Sequence, residues 1–581
     1  VLFKNRGDGF TLEGKQYSIV YENSKPFAFV LRVEGKPFFT LPIVSGLATL
    51  NEEEQIGNIN IVEIKEDVGG YKITVTATSS IWEERRFTWI FSEDYIEYYH
   101  EAYGKGAPGK CYFFSNGISD FWNDGKSQGI DFNTTIYVPK VFNPAVNHGN
   151  THEFTISVPQ SVGIGRDTPV LAYGPHQLEG LFAPPPLMLS FGDDECDLWC
   201  GLGIGTEPGK YLFNSFEFTG SLYAGASFYV NYLGYLSVED HFSSPVISFH
   251  FGYSPFETME KYVGWIDRKK YGTQKVYKNP DWHRMPVFCG WAEQTFQAHL
   301  KKCPASMLAT QSNYESWIDI LEKRNLPVGT IVIDDKWQKY YGTFEVDENK
   351  WPDLKGFVER QHKKGRHVLL WVPGYHKEGI PEELCVKDNY GNAICADVTN
   401  PAYEEFLRKQ IRHLVKDIGI DGFKEDWIGS ITSQPGCKMY KNMHGIEFIR
   451  RFQYILYDET HKNKEDAMIE TQTPNPLFRE SSDVLRLNDI WYGTRNVEKV
   501  MRIRARISRI AGWEVLDCDN ASSTNLYEWW NYMLAQPYIG VPSLYFVSHL
   551  ESSFEVPSEA QWQYLSYIWQ NYIKEHVNQM K

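Results

Sequence analysis

The chain has 581 residues, with 58 basic and 74 acidic side chains and a formal net charge of −16 at pH 7. Such a length exceeds one ordinary hydrophobic core and suggests roughly two to four domains. A composition of 42% hydrophobic and 23% charged residues excludes a disordered, collagenous or disulfide-scaffold chain, and the acidic balance disfavours nucleic acid and anionic membrane surfaces as partners.

The first residues, VLFKNRGDGF, carry neither a basic n-region nor an apolar h-region, and no run of eighteen apolar residues follows anywhere. A soluble protein is expected. The chain starts at Val rather than Met, so an exported protein with its signal peptide removed is one expectation, and the compartment stays open. The nine cysteines are odd in number and scattered, which argues against a disulfide framework. Cys196 and Cys200 are the close pair, and without neighbouring His they make a poor zinc site. Aromatic residues make up 15% of the chain, including 18 Trp, more amphipathic rings than a core usually takes, as sugar-binding proteins and large β domains have.

From residue 1 to 282 the apolar residues alternate, as in Tyr71, Ile73, Val75 and Ala77 or Phe87, Trp89 and Phe91, with Gly, Asn, Asp and Pro between the runs. This pattern predicts antiparallel strands in a large β-sandwich. Gly201, Gly203 and Gly205 form a G-x-G-x-G with no helix after it, so a β turn is expected there rather than a phosphate loop.

From 283 to 581 short apolar runs alternate with helical stretches. The predicted strands are 285–291, 329–335, 366–372, 420–426, 466–472, 483–489, 513–519 and 541–548, and one predicted helix carries the stripe Leu407, Ile411, Leu414, Val415 and Ile418. Eight such pairs in about 300 residues fit a (β/α)8 TIM barrel, whose chemistry lies at the C-terminal ends of its strands. Acids fall there: Asp334 and Asp335 on strand two, Asp426 on four, Asp489 on six, Asp517 and Asp519 on seven. One Asp alone is more often half of a structural ion pair, but four acidic strand ends are hard to explain that way.

Carboxylates converging on one pocket without metal ligands point to glycoside hydrolysis, one attacking the anomeric carbon and another protonating the leaving oxygen. Lys424, two residues before Asp426, shares its face and is expected to hold it ionised. No strand end carries a His, which disfavours a metal-dependent barrel hydrolase.

The segments VIDDKWQ (332–338), 351–372, ADVTNP (396–401), DGFKEDW (421–427), LRLNDI (485–490) and GWEVLDCDN (512–520) resemble, in order, the strand motifs of the retaining α-galactosidase clan, glycoside hydrolase families 27 and 36 with their family 31 relatives. The resemblance covers the whole barrel, and families 36 and 31 also place a β-sandwich before it. It implies a retaining exo-acting α-glycosidase with Asp426 as nucleophile and Asp489 as general acid/base. It further implies that Asp334, Asp335, Lys424 and Arg486 bind sugar hydroxyls, that Trp291, Trp337 and Trp371 line the sugar pocket, and that Asp519 is a further strand-seven acid at the site. Family 31 places its acid in a Gly-Asp-Asn context that CDN (518–520) weakly matches, which makes Asp519 the rival of Asp489.

Three features depart from the family pattern. Arg486 stands one residue closer to Asp489 than in the galactosidases. Strand five ends in IETQTPNP (469–476) where family 36 has a Cys- and Gly-rich loop, and the sequence stops after AQWQYLSYIWQNYIKEHVNQMK without the C-terminal β domain usual in families 36 and 31. No cofactor or metal is implied, and the partner is an oligosaccharide or glycoconjugate. Alternatives are a transglycosidase using the same intermediate and an inactive carbohydrate-binding homologue.

Overall fold

A computed structural model of the chain describes residues 1–25, 27–115, 131–132, 140–142, 160–163, 183–192, 197–221, 225–428, 435–490, 496–520 and 525–577. Cys196 lies outside these residues. The other eight cysteines are free thiols.

The alternating runs fold as antiparallel strands. In Gly70–Ser79, Ile73, Val75 and Ala77 are buried while Lys72, Thr74 and Thr76 keep partial exposure, and Phe87, Trp89 and Phe91 of Glu84–Ser92 lie wholly inside. Six-, nine- and five-stranded sheets stack through these inward faces. The rings of Phe29 and Trp89 (5.1 Å), Tyr17 and Phe251 (5.0 Å) and Phe39 and Phe191 (5.7 Å) join the first sheet to the second. Phe191 also meets Phe218 of the third at 5.2 Å.

The glycine triplet is not a turn. Gly201 and Gly203 lie within strand Trp199–Gly205 and Gly205 ends it, all on the face covered by helix Pro255–Lys269. A Cβ at Gly203 would stand 2.1 Å from the ring of Tyr262, and one at Gly201 2.9 Å from Thr258 Cβ, so period-two glycines make the trough in which the helix lies. The helix starts on the Ser254 cap and buries Met259, Tyr262, Val263 and Ile266. Gly203→Ala should therefore destabilise the protein by about 1–3 kcal/mol through overpacking, seen as a lowered thermal midpoint, whereas an exposed turn glycine would tolerate the change.

The second half forms the expected barrel. Strands Val287–Cys289, Thr330–Ile333, His367–Val372, Gly422–Glu425, Met468–Thr471, Val484–Arg486, Leu516–Asp517 and Ser543–Leu544 are parallel neighbours in chain order, with the eighth beside the first. A parallel bridge from Asp517 to Val541 closes the ring. The predicted stripe lies on helix Pro401–Arg412 and the π-helical turn His413–Ile418, with Leu407, Ile411, Leu414 and Val415 buried and Ile418 partly so. The ADVTNP segment starts this helix: Asn400 caps Ala402 N–H, and Asp397 accepts from Thr399 and from Tyr440 N–H.

The sandwich abuts the barrel beside the loops after strands four and five. Ala183 N–H donates to Gln472 O (3.2 Å), Asn475 Nδ2 to Pro185 O (2.7 Å) and Gly209 N–H to Glu447 Oε1 (2.6 Å). Strand five therefore ends against the sandwich, with Gln472 held at the barrel's C-terminal rim.

Candidate active site

Register explains which side chains meet. Lys424 pairs with Glu470 and Arg486 with Asp517, so strands four to seven direct these residues toward the barrel axis at successive heights. Lys424 Nζ donates to Asp334 Oδ2 at 2.8 Å and lies 3.5 Å from Cys289 Sγ, which itself donates to that oxygen at 2.9 Å. Lys424 also stands 4.9 Å above the Tyr545 ring. Burial opposes its charge, but the adjacent Asp334 holds the ammonium well above its usual range. Lys424 makes its direct ion pair with Asp334, and its charge also lowers the Asp426 pKa as expected, behind the larger effect of Arg486.

Arg486, only 1% exposed, is the hub of the site. Nη2 donates to Asp426 Oδ1 at 2.9 Å and to Gln472 Oε1 at 2.8 Å, and Nη1 donates to Asp489 Oδ1 and Asp519 Oδ2, each at 3.0 Å. One planar guanidinium thus holds three carboxylates from strands four, six and seven in a common mouth. They do not share one protonation state. Burial disfavours ionised Asp426, but Arg486 and Lys424 outweigh it, and the Trp371 indole N–H donates to Oδ2 at 3.1 Å, so its pKa falls below the usual carboxylate value. Asp489 is pushed up to about 6, first by the loss of solvation in the mouth, then by Asp519 and Asp426 against the pull of Arg486.

Asp519 and Asp489 differ in access. The Asp489 side chain retains 43% of its surface and Asp519 none. Asp519 is instead fixed from behind, its Oδ1 accepting the Asn520 N–H at 2.6 Å and its own N–H donating to Asp517 Oδ1 at 2.7 Å.

Asp335 diverges from Asp334 as expected of adjacent strand residues. Its Oδ1 accepts from Tyr341 OH at 2.9 Å, and burial, followed by the charges of Asp334 and Asp426, lifts its pKa to about 7 against that hydrogen bond. Trp371 meets Trp427 edge-on at 5.0 Å, and Tyr341 lies 5.4 Å from Trp427, so three rings wall the site around Asp426. Trp337 is not among them. It is fully buried, as Trp371 is at 1% exposure, and its Nε1 donates to Trp371 O at 2.7 Å, so it braces the backbone of the strand that carries Trp371. Trp291 is half-buried at the start of helix Trp291–Lys301 and packs against the core.

Several participants escaped the sequence reading. Trp427 directly follows Asp426 and could have been found from that adjacency; it takes a left-handed φ of 53° and keeps 40% exposure. Tyr341, Tyr545, Gln472 and Cys289 carry no comparable signal. Glu470 is buried with neither oxygen hydrogen-bonded, and burial, reinforced by Asp517, moves its carboxyl well above the usual range. Asp517 is itself pushed up to about 6, by burial and then by Asp519. Among the described residues no group of three or more His, Cys, Asp or Glu could hold a metal ion, and no helix is long and apolar enough to cross a membrane.

The family model for the TIM-barrel domain of glycosyl hydrolases family 31 matches residues 246–538. The alpha-xylosidase XylQ of Lactiplantibacillus pentosus is 27% identical over 180 residues, covering 26% of this chain and 23% of the relative, so the match spans under a quarter of that protein. A family 31 sulfoquinovosidase from E. rectale superposes with a TM-score of 0.60 at 11% identity, over 100% of this chain and 85% of that one. The family 36 alpha-galactosidase AgaB of Geobacillus stearothermophilus follows the same fold with a TM-score of 0.54 at 11% identity, over 99% and 87%. With half of its length matched by the family model, a β-sandwich ahead of a closed barrel and acids at the barrel's C-terminal rim, the chain belongs to glycosyl hydrolase family 31.

Proposed function

We propose that the protein is a retaining, exo-acting α-glycosidase that removes terminal α-linked sugars through a covalent intermediate on Asp426. The observation that carries this reading is the Arg486 hub, which binds two reachable carboxylates of opposite protonation tendency in one mouth. Asp426, ionised, attacks the anomeric carbon. Asp489, protonated, gives its proton to the departing glycosidic oxygen, then takes one from the water that hydrolyses the glycosyl ester, and two inversions return the original anomer. Asp519 makes a poor acid/base because none of its surface is accessible.

At the far side of the sugar, Asp335 offers a carboxyl to the non-reducing-end hydroxyls, and the Asp334–Lys424 pair fixes the floor beneath them. Carboxylates outnumber cations among these groups, which favours a neutral glycone over a carboxylated or sulfonated one. The strand motifs shared with families 27 and 36 support α-galactose, while the relative XylQ is named for α-xylose. A panel of 4-nitrophenyl α-galactoside, α-xyloside, α-glucoside and α-glucuronide tests the reading. Nitrophenolate release from a neutral member supports it. Release only from the glucuronide overturns the charge argument, and release from none in the wild type overturns the glycosidase assignment.

The two carboxyls also set the pH dependence. Activity requires Asp426 ionised and Asp489 protonated, so kcat/KM should hold through mildly acidic pH and fall as pH rises through about 6, with its acid limb below the ordinary Asp value. Asp489→Ala should abolish the alkaline limb. If the limb persists in that variant, it belongs to Asp335, whose carboxyl is pushed up to about 7.

A further inference from the structure

The chain turns sharply where strand six ends, and the means by which it turns identify a residue outside the site described above. Asn488 adopts a left-handed φ of 71°, so the carbonyls of three successive residues, Leu487, Asn488 and Asp489, converge on one point. Three carbonyl dipoles aimed at a common point repel each other unless a cation sits there. Arg504 supplies it. This residue of helix Val497–Ala511 is 2% exposed, and its Nη1 stands 2.9 Å from Leu487 O, 2.7 Å from Asn488 O and 2.8 Å from Asp489 O. The described ion pairs give Arg504 no carboxylate partner, although Arg486, Asp489, Asp519 and Tyr532 all lie within its electrostatic reach. A guanidinium so buried, committed to main-chain carbonyls, is costly to bury for packing alone.

We propose that Arg504 is the positioning residue for the general acid/base: by holding the 487–489 carbonyls from behind, it fixes the turn that directs the Asp489 carboxyl to Arg486 and into the mouth. The inference rests on the role of Asp489 proposed above. Asp426 is held by Arg486 and Trp371 on other strands, so loss of Arg504 should impair proton donation and leave the nucleophile in place. The proton path is unchanged, from Asp489 to the glycosidic oxygen.

The test compares Arg504→Met and Arg504→Lys in the full chain, using phenyl and 4-nitrophenyl α-glycosides of the sugar accepted by the wild type, with Asp489→Ala as reference. Phenolate needs a proton to leave well and nitrophenolate barely does. Arg504→Met should lose on the order of 10²-fold in kcat/KM on the phenyl glycoside but only a few-fold on the nitrophenyl one, the same asymmetry as Asp489→Ala, and Arg504→Lys should recover part of the loss. An equal loss on both substrates, as general destabilisation would give, or no loss on either, overturns the proposal. If Arg504→Met does not fold, Arg504→Lys decides by the same asymmetry at smaller amplitude. A crystal structure of the variant answers independently of turnover: Asp489 still bonded to Arg486 overturns the positioning role. An Asp489→Ala variant that loses no more on the phenyl than on the nitrophenyl glycoside would instead refute the acid/base assignment itself.

Discussion

Asp426→Asn should lower kcat by on the order of 10⁵-fold, the scale expected when the nucleophile is removed from catalytic groups that act as a unit. The amide is nearly isosteric but has one acceptor oxygen where the carboxylate has two, so it can keep the bond from Trp371 Nε1 or the one from Arg486 Nη2 but not both, and the main loss still falls on kcat because the attacking oxygen is gone. Azide supplied to Asp426→Gly can enter the space left by the side chain and attack from the same face, giving a glycosyl azide of inverted configuration. Steady-state kinetics with mass spectrometry of the azide product check both points. Retention of most activity in Asp426→Asn would move the covalent step to another carboxylate.

Arg486→Met should be the most destabilising single change at the site, costing about 3–5 kcal/mol, because it leaves buried Asp519 without its cation and Asp426 and Asp489 without their shared donor. The pKa of Asp426 should rise toward and above the usual carboxylate value, since Arg486 is the strongest influence keeping it low. The acid limb of any residual activity then shifts to higher pH while the thermal midpoint drops. A variant as stable as the wild type with an unmoved acid limb would mean that Arg486 is not the hub.

The barrel was legible because eight apolar runs alternate with helical stretches and four of those runs end in acids, and a strand's C-terminal residues face the mouth. The same logic separates acids at the other end. Asp421 and Asp483 precede their strands and serve as struts: Asp421 accepts from Val368 N–H and pairs with His362 and Lys464, and Asp483 accepts from Ile469 N–H and pairs with His461. What the sequence hid is what depends on contacts between distant segments. Period-two glycines look the same in a turn and under a helix until Tyr262 is brought against Gly203. Trp337 and Trp371 have similar local settings, but the Trp371 ring reaches Asp426 and Trp427 while the Trp337 indole bonds the Trp371 carbonyl. The direct pairing of Lys424 with Asp334 is likewise a contact between different strands, and Tyr341 reaches Asp335 from a loop with no motif to mark it.

The central claim, a covalent intermediate on Asp426 assisted by Asp489, is tested most directly by proton NMR of the sugar first released from an accepted 4-nitrophenyl α-glycoside, before mutarotation. Two displacements predict that the α-anomer appears first and the β-anomer grows in later at the rate of mutarotation. Initial appearance of the β-anomer would contradict the account, leaving Asp426 at most a base for a single displacement by water.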